Sequence, residues 1–223
     1  MKRSDLINFL KTDTEDLIKT DHSISRIDQV DQKIKLTFEN NKSFECDYLI
    51  VSDGIFSKSK KLISNNKNQV RYNKTLAIRG MIPSSSKMDC KNISLFLGPD
   101  FHHVIYPVNS NRDLNFIAIM KYNLSYNEQK NNSLFNDESF AKKILDNFPP
   151  EMNKFLDKIK ELKIFPVFVS DKFFKIKNNN IHLIGDAFFA FPPSFAQGAS
   201  QSIEGAYEPV SYTHLTLPTK EEV

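Results

Sequence analysis

Two apolar runs in this chain end on an aspartate beside a glycine. Leu49-Ile50-Val51 leads into Ser52-Asp53-Gly54, and Ile181 to Ile184 leads into Gly185-Asp186. A strand that stops at a carboxylate places it in the crevice outside the strand ends, where open α/β sheets bind ligands. At Asp186 such a group can accept hydrogen bonds from sugar or polyol hydroxyls. Eleven residues on, Gln197-Gly198-Ala199-Ser200 opens a helical stretch, and glycine there lets a ligand approach the backbone closely. The helix start offers free N–H groups and a partial positive charge to an anionic or electron-rich ligand. The chain has only 6 glycines, and two fall in this one passage, so a ligand site is the favoured reading over a capped loop. At Asp53-Gly54, Ser57 can cap a short helix and Lys58, Lys60 and Lys61 add positive charge, an arrangement that suits a phosphate. Taken alone, that second stretch is equally a plain strand-to-helix turn.

The elements around these residues follow from periodicity. Leu6, Ile7, Leu10, Leu17 and Ile18 recur at helical spacing over residues 3 to about 19, with a break near Thr12 to Thr14. Residues 23–30 and 33–38 alternate with period two, and residues 44–51 end in a continuous apolar run that predicts a strand of a parallel-type sheet. Residues 75–83, 92–99, 102–108 and 113–122 are four strand-like segments with no helix between them, which predicts an antiparallel sheet. Residues 127–138 read as a polar loop, 139–148 and 150–160 as helices with Pro150 near the second start, and 163–169 as a returning strand. The expected architecture is an α/β domain interrupted by an antiparallel-sheet domain.

Composition narrows the function classes. Hydrophobic residues make up 40% and charged residues 26% of 223, with a net charge of +3. That is an ordinary globular balance, and no basic run interleaves with aromatics as nucleic-acid binding would require. No apolar stretch reaches the length of a membrane span and no export signal is present, so a cytoplasmic protein is expected. Cys46 and Cys90 match no metal or redox spacing and are expected as reduced, buried thiols; no metal site is expected.

The two aspartate stretches resemble the paired fingerprints of the group A flavoprotein monooxygenases, FAD-dependent aromatic hydroxylases of the salicylate and ubiquinone-pathway type. The first fingerprint is matched by Asp47, Leu49, Ile50, Asp53, Gly54 and Ser57, while Val51, Ser52 and Lys60 replace Gly, Ala and Arg. The second is matched by Leu183 to Ala187, Pro193, Gln197, Gly198 and Ser200, with Phe188 and Phe189 in place of Ala-His. Residues 2–10 resemble the family's arginine-bearing helix, and residues 77–83 and 98–108 its substrate-domain strands.

The resemblance implies an FAD-binding, Rossmann-like domain in two pieces, residues 1–70 and 171–209, around a substrate-binding sheet domain at 71–170. It implies FAD, NAD(P)H and O₂ as reactants and an aromatic small molecule as substrate. Arg3, Asp53, Gly54, Gly185, Asp186, Gln197, Gly198, Ala199 and Ser200 are the implied cofactor-binding residues, and Pro193 lies beside the reacting ring. Arg79, His102, His103 and Tyr106 are the substrate-side candidates, and strand alternation lets only one of the two histidines point inward. Phe188, Phe189, Phe191 and Phe195 suggest an apolar pocket, although such a cluster more often serves packing. A reductase, a halogenase or a non-catalytic FAD-binding protein with the same fingerprints stays open. The G-x-G-x-x-G turn that would hold the FAD pyrophosphate does not occur in the chain, so an internal fragment is expected. Residues 210–223, beginning Val210-Ser211-Tyr212-Thr213-His214, resemble one reading frame of a sequencing adapter and are expected to be non-native.

Overall fold

The computed structural model describes residues 3–64, 70–83, 91–108, 113–172, 176 and 179–216. Contacts divide the chain into two units, residues 1–18 with 72–167 and residues 19–71 with 168–223.

The first unit is built on an antiparallel sheet. Its strands are β5 (Val70–Ile82), β6 (Ser94–Leu97), β7 (Phe101–Val108), β8 (Asp113–Lys121) and β9 (Lys160–Ser170), in the order β6-β7-β8-β5-β9. Pro166 falls in β9, an edge strand, where a missing ladder donor is tolerated. Alternation sends Leu76, Ile78 and Ile82 of β5, Ile105 of β7 and Leu114, Phe116, Ala118 and Met120 of β8 to one face. That face packs with Phe140 and Ile144 of α4 (Glu138–Leu145) and Phe155 of α5 (Asn153–Leu156). Gly80 belongs on this crowded side, since a Cβ there would run into Ile159 Cγ2.

Residues 127–138 are more ordered than a polar loop. Ser125 and Glu128 form a reciprocal capping box that starts α3 (Tyr126–Lys130), and a 3₁₀ turn covers Leu134–Asn136. The second expected helix is shorter than its periodicity suggested. It comprises a 3₁₀ turn at Pro150–Met152 and then α5, because Lys160 already enters β9. At the start of the unit, α1 (Arg3–Lys11) gives way to turns at Thr12 to Thr14 and a 3₁₀ turn at Glu15–Leu17, the break that the spacing predicts.

The second unit carries the two aspartate stretches. Strands β1 (Ile24–Val30), β2 (Lys33–Phe38) and β3 (Ser43–Cys46) form an antiparallel three-stranded sheet. The run read as one strand over 44–51 is therefore two. Its first half pairs with β2, and its second, β4 (Leu49–Val51), pairs in parallel with β10 (Ile181–Leu183). The opening layer is thus mostly antiparallel, a correction to the expected parallel layer, and Ile50 is 48% exposed instead of buried on both sides. Ile34, Leu36, Leu49, Val51, Ile181, Leu183 and Ala187 make the core of this unit. Cys46 is a free, half-buried thiol, and Cys90 lies outside the described residues. The helices are α2 (Lys58–Ile63), α6 (Gly185–Phe188) and α7 (Gly198–Thr216). Among the described residues α7 continues as helix through Val210 to Thr216, into the stretch expected to be non-native.

Among the described residues no helix is long and apolar enough to cross a membrane, and no cluster of His, Cys, Asp or Glu could hold a metal ion.

Candidate cofactor and substrate site

The parallel pair β4–β10 brings both aspartate stretches into one unit. Leu49, Ile50 and Val51 face Ile181, His182 and Leu183 rung for rung, and the Ile184 N–H donates to the Val51 carbonyl at 3.0 Å. Both strands therefore end together, one at Ser52-Asp53-Gly54 and the other at Gly185-Asp186.

After β10 the chain turns sharply at Gly185, whose φ of +57° lies in the left-handed region that favours glycine. A Cβ at this position would also meet Ser202 Oγ of α7 at 3.1 Å, so the turn and the helix are closely apposed. Asp186 follows in the first turn of α6 with an exposed side chain, and among the described residues its carboxylate makes no hydrogen bond or ion pair. The chain then runs through Pro192-Pro193, a 3₁₀ turn and a left-handed Ala196 (φ +53°) into α7. The Gln201 N–H is the first to close an α-helical bond, onto Gln197 O at 2.9 Å, so Gly198, Ala199 and Ser200 present exposed first-turn amides. No acidic side chain sits in this turn to compete for them. The Ser200 hydroxyl donates to Gln197 O and the Ser202 hydroxyl to Gly198 O, which fixes the helix start.

Between these elements lies a cavity of about 500 Å³. His182, Gly185, Asp186, Gly198, Gln201 and Ser202 contribute to its polar lining, and Ile181, Leu183, Phe188, Phe189 and Phe191 are among its apolar walls. Its size is in the usual range for a small-molecule site. An exposed carboxylate for hydroxyl groups, unpaired helix amides for an electron-rich ring edge, and flat apolar walls are the donor set that a flavin with its polyol chain requires. The residues present fit FAD. Of the expected cofactor residues, Gly185, Asp186 and Gly198 line this cavity. Gln197, Ala199, Ser200 and Pro193 lie exposed on the segment leading into α7 without lining it. Ser202 and Gly205 line the cavity and escaped the sequence reading, although both continue the small-residue spacing one and two turns after Gly198. The Phe195 side chain is outside the described residues.

The Asp53 turn is organised around its own helix. Gly54 has φ +81°, and Ser57, fully buried, caps α2 by accepting from the Lys60 N–H. The Ser59 N–H donates to Asp53 Oδ2 at 3.0 Å. Burial pushes the Asp53 carboxyl up, but the hydrogen bonds from Ser57 and Ser59 outweigh it and leave the group below its usual range. Lys60, standing where the fingerprint has arginine, is 2% exposed, and burial lowers its ammonium against the opposing pull of Asp53. Asp53 and Gly54 do not line the cavity. The Arg3 side chain is outside the described residues.

In the first unit the alternation question at His102 and His103 is resolved. His103 is 1% exposed on the helix-covered face, stacked on Phe96 at 4.3 Å between ring centroids and bordered by Phe101, Phe116 and Phe155. Neither ring nitrogen has a hydrogen-bond partner among the described residues, and burial first, then neighbouring His102, lowers its pKa to about 4. This corrects its place among the substrate-side candidates. Arg79, His102 and Tyr106 share the opposite, half-open face.

Residues 18–211 match the FAD binding domain family, and the chain belongs to that family. Among curated proteins it is 24% identical to the salicylate hydroxylase of Pseudomonas putida over 82% of this chain and 46% of that one. It is 25% identical to a flavin-dependent monooxygenase of an unknown prokaryotic organism over 92% of this chain and 54% of that one. Among solved structures, Klebsiella pneumoniae HpxO complexed with FAD and uric acid superposes with a TM-score of 0.74 at 18% identity, covering 94% of this chain and 55% of that one. A salicylate hydroxylase substrate complex gives 0.73 at 21%, covering 92% and 55%. The chain spans about half the length of these relatives. The likeness supports the expected α/β FAD-binding fold with its antiparallel sheet.

Proposed function

We propose that the protein carrying this sequence is an FAD-dependent monooxygenase that hydroxylates an aromatic small molecule with NAD(P)H and O₂. The observation that carries the reading is the convergence of Gly185-Asp186 and the α7 start on one cavity, in the order of the family fingerprint. Bound FAD, once reduced by NAD(P)H, supplies the oxygen-activating chemistry. This chain's residues do the positioning. Asp186 accepts hydrogen bonds from polyol hydroxyls and the first-turn amides of α7 stabilise negative charge on the ring edge. Phe188, Phe189 and Phe191 keep water from the cavity wall. Asp53 and Gly54 are proposed to border the nicotinamide-cofactor region, with Asp53 held by α2. The reductase, halogenase and non-catalytic readings have no observation in their favour.

The test is NAD(P)H oxidation by the protein purified as its gene encodes it, with phenolic substrates under ¹⁸O₂. Stimulated oxidation with one labelled oxygen atom in the product is expected. Bound FAD with no oxygen-dependent product would refute the reading.

A further inference from the structure

The two edges of the five-stranded sheet are finished differently. Edge strand β9 carries Lys160, Glu161, Lys163 and Pro166, charges and a proline of the kind that discourage a further strand from pairing. Among the described residues β6 is the other edge, and the run from Asn92 to Gly98 around it holds no charge and no proline. Its side chains are large, apolar and open to solvent, with Ile93 73%, Leu95 57% and Leu97 77% exposed. Backbone parity says which groups this edge offers. The Gly98 N–H donates to Phe101 O at 2.8 Å, in register with the β6–β7 ladder. Bonded and non-bonded pairs alternate along an antiparallel ladder, so Phe96, opposite His103, and Ser94, opposite Ile105, bond inward to β7. Leu95 and Leu97, opposite Val104 and His102, turn their N–H and C=O groups away from the sheet, and Ile93 continues that parity.

We propose that β6 pairs antiparallel with β6 of a second copy of this chain, Leu95 facing its own counterpart across a two-fold axis, so that the sheet continues from one copy into the other. In this register Ile93 meets Leu97 and Leu95 meets Leu95. All three rungs then join outward-facing backbone groups, and their exposed apolar side chains fall on one face. Centring on Phe96 would oppose groups already bonded to β7, and centring on Leu97 would leave Ile93 without a rung. The run is its own complement, as a two-fold interface requires. Lys91 and Asp100 bracket it with opposite charges, and Asp100 also lies 3.3 Å from Lys121. Antiparallel pairing brings each Lys91 toward the other copy's Asp100 end, whereas parallel pairing would set like charges together. Three rungs are small beside the standard interface of ~1,600 Å², so the dimer is weak and depends on concentration. The pairing is independent of the monooxygenase reading.

The experiment is analytical ultracentrifugation of the full-length protein, purified as its gene encodes it, across a wide concentration range. The wild type is expected to show a monomer–dimer equilibrium. Leu95→Lys should raise its dissociation constant at least tenfold, because two like charges then face each other at the axis. Leu95→Glu should do the same. An equimolar mixture of L95K and L95E should restore dimers, since residue 95 of one variant then meets the opposite charge on the other. Circular dichroism and FAD affinity should stay unchanged, because Leu95 is exposed and does not line the cofactor cavity. Should either variant fail to fold, Leu97→Lys mixed with Ile93→Glu poses the same question at the neighbouring rung. A wild type that stays monomeric at every concentration would overturn the proposal. So would a dimer that persists in L95K, or a mixture that recovers no dimer, since residue 95 would then not face its own counterpart.

Discussion

Asp186→Asn is expected to weaken FAD binding by roughly 10- to 100-fold, read as the dissociation constant from quenching of flavin fluorescence. Asp186 brings an unengaged carboxylate to the cavity, held there by the left-handed turn at Gly185 and the contact of that turn with Ser202. A hydrogen bond to a charged group contributes about 1.5–3 kcal/mol net, and each 1.4 kcal/mol is a factor of ten in affinity. Asparagine keeps the shape but loses the charge and one acceptor, so polyol hydroxyls meet a weaker and partly donating partner. Because the side chain is exposed and makes no bond to other described residues, thermal stability should barely change. An unaltered dissociation constant would place the polyol elsewhere.

His103→Leu is expected to stabilise the protein at pH 7 by about 1 kcal/mol or more and to flatten its acid response. The ring is buried among four phenylalanines with both nitrogens unpartnered among the described residues, and an unsatisfied buried polar group costs about 1–3 kcal/mol. Leucine of similar volume removes that cost. The pH dependence has a definite sign. The folded-state pKa, about 4, lies below the ordinary 6.5 because burial disfavours the charged ring. Between these values the unfolded chain binds more protons than the folded one, so the wild type is stable above pH 6.5 and loses stability as pH falls toward 4. The shift corresponds to at most about 3 kcal/mol across that window. Titrating carboxylates act alike in both proteins, so the difference between their urea midpoints from pH 7 to 4 isolates the histidine. Parallel curves would mean the ring finds a partner.

The same histidine pair marks where the sequence stops being informative. Alternation already required His102 and His103 to face opposite ways, but choosing between them needed to know which face the helices cover, a matter of long-range packing. Residues 44–51 failed for a related reason. The run is continuous in apolarity, yet β3 completes a local antiparallel sheet while β4 takes its partner from residue 181 onward, and nothing local encodes that second pairing. The capping box at Ser125 and Glu128 was a readable signal, obscured by the asparagine-rich polarity around α3. What local chemistry does encode came through clearly. The break after α1, the inserted antiparallel strands, and the glycine–aspartate strand end with its small-residue helix start all depend on short-range spacing. The cavity joining that strand end to that helix depends on Gly185 and Ser202 meeting across the turn, and only the fold shows it.

Hydrogen exchange tests directly whether the flavin occupies this cavity. Amides of Gly198, Ala199 and Ser200 have no intrahelical acceptor and should exchange fast without a ligand. On adding FAD, exchange is predicted to slow at Gly198–Ser200 and at Gly185–Phe188 together. FAD binding that leaves both segments exchanging at their original rates would contradict the account.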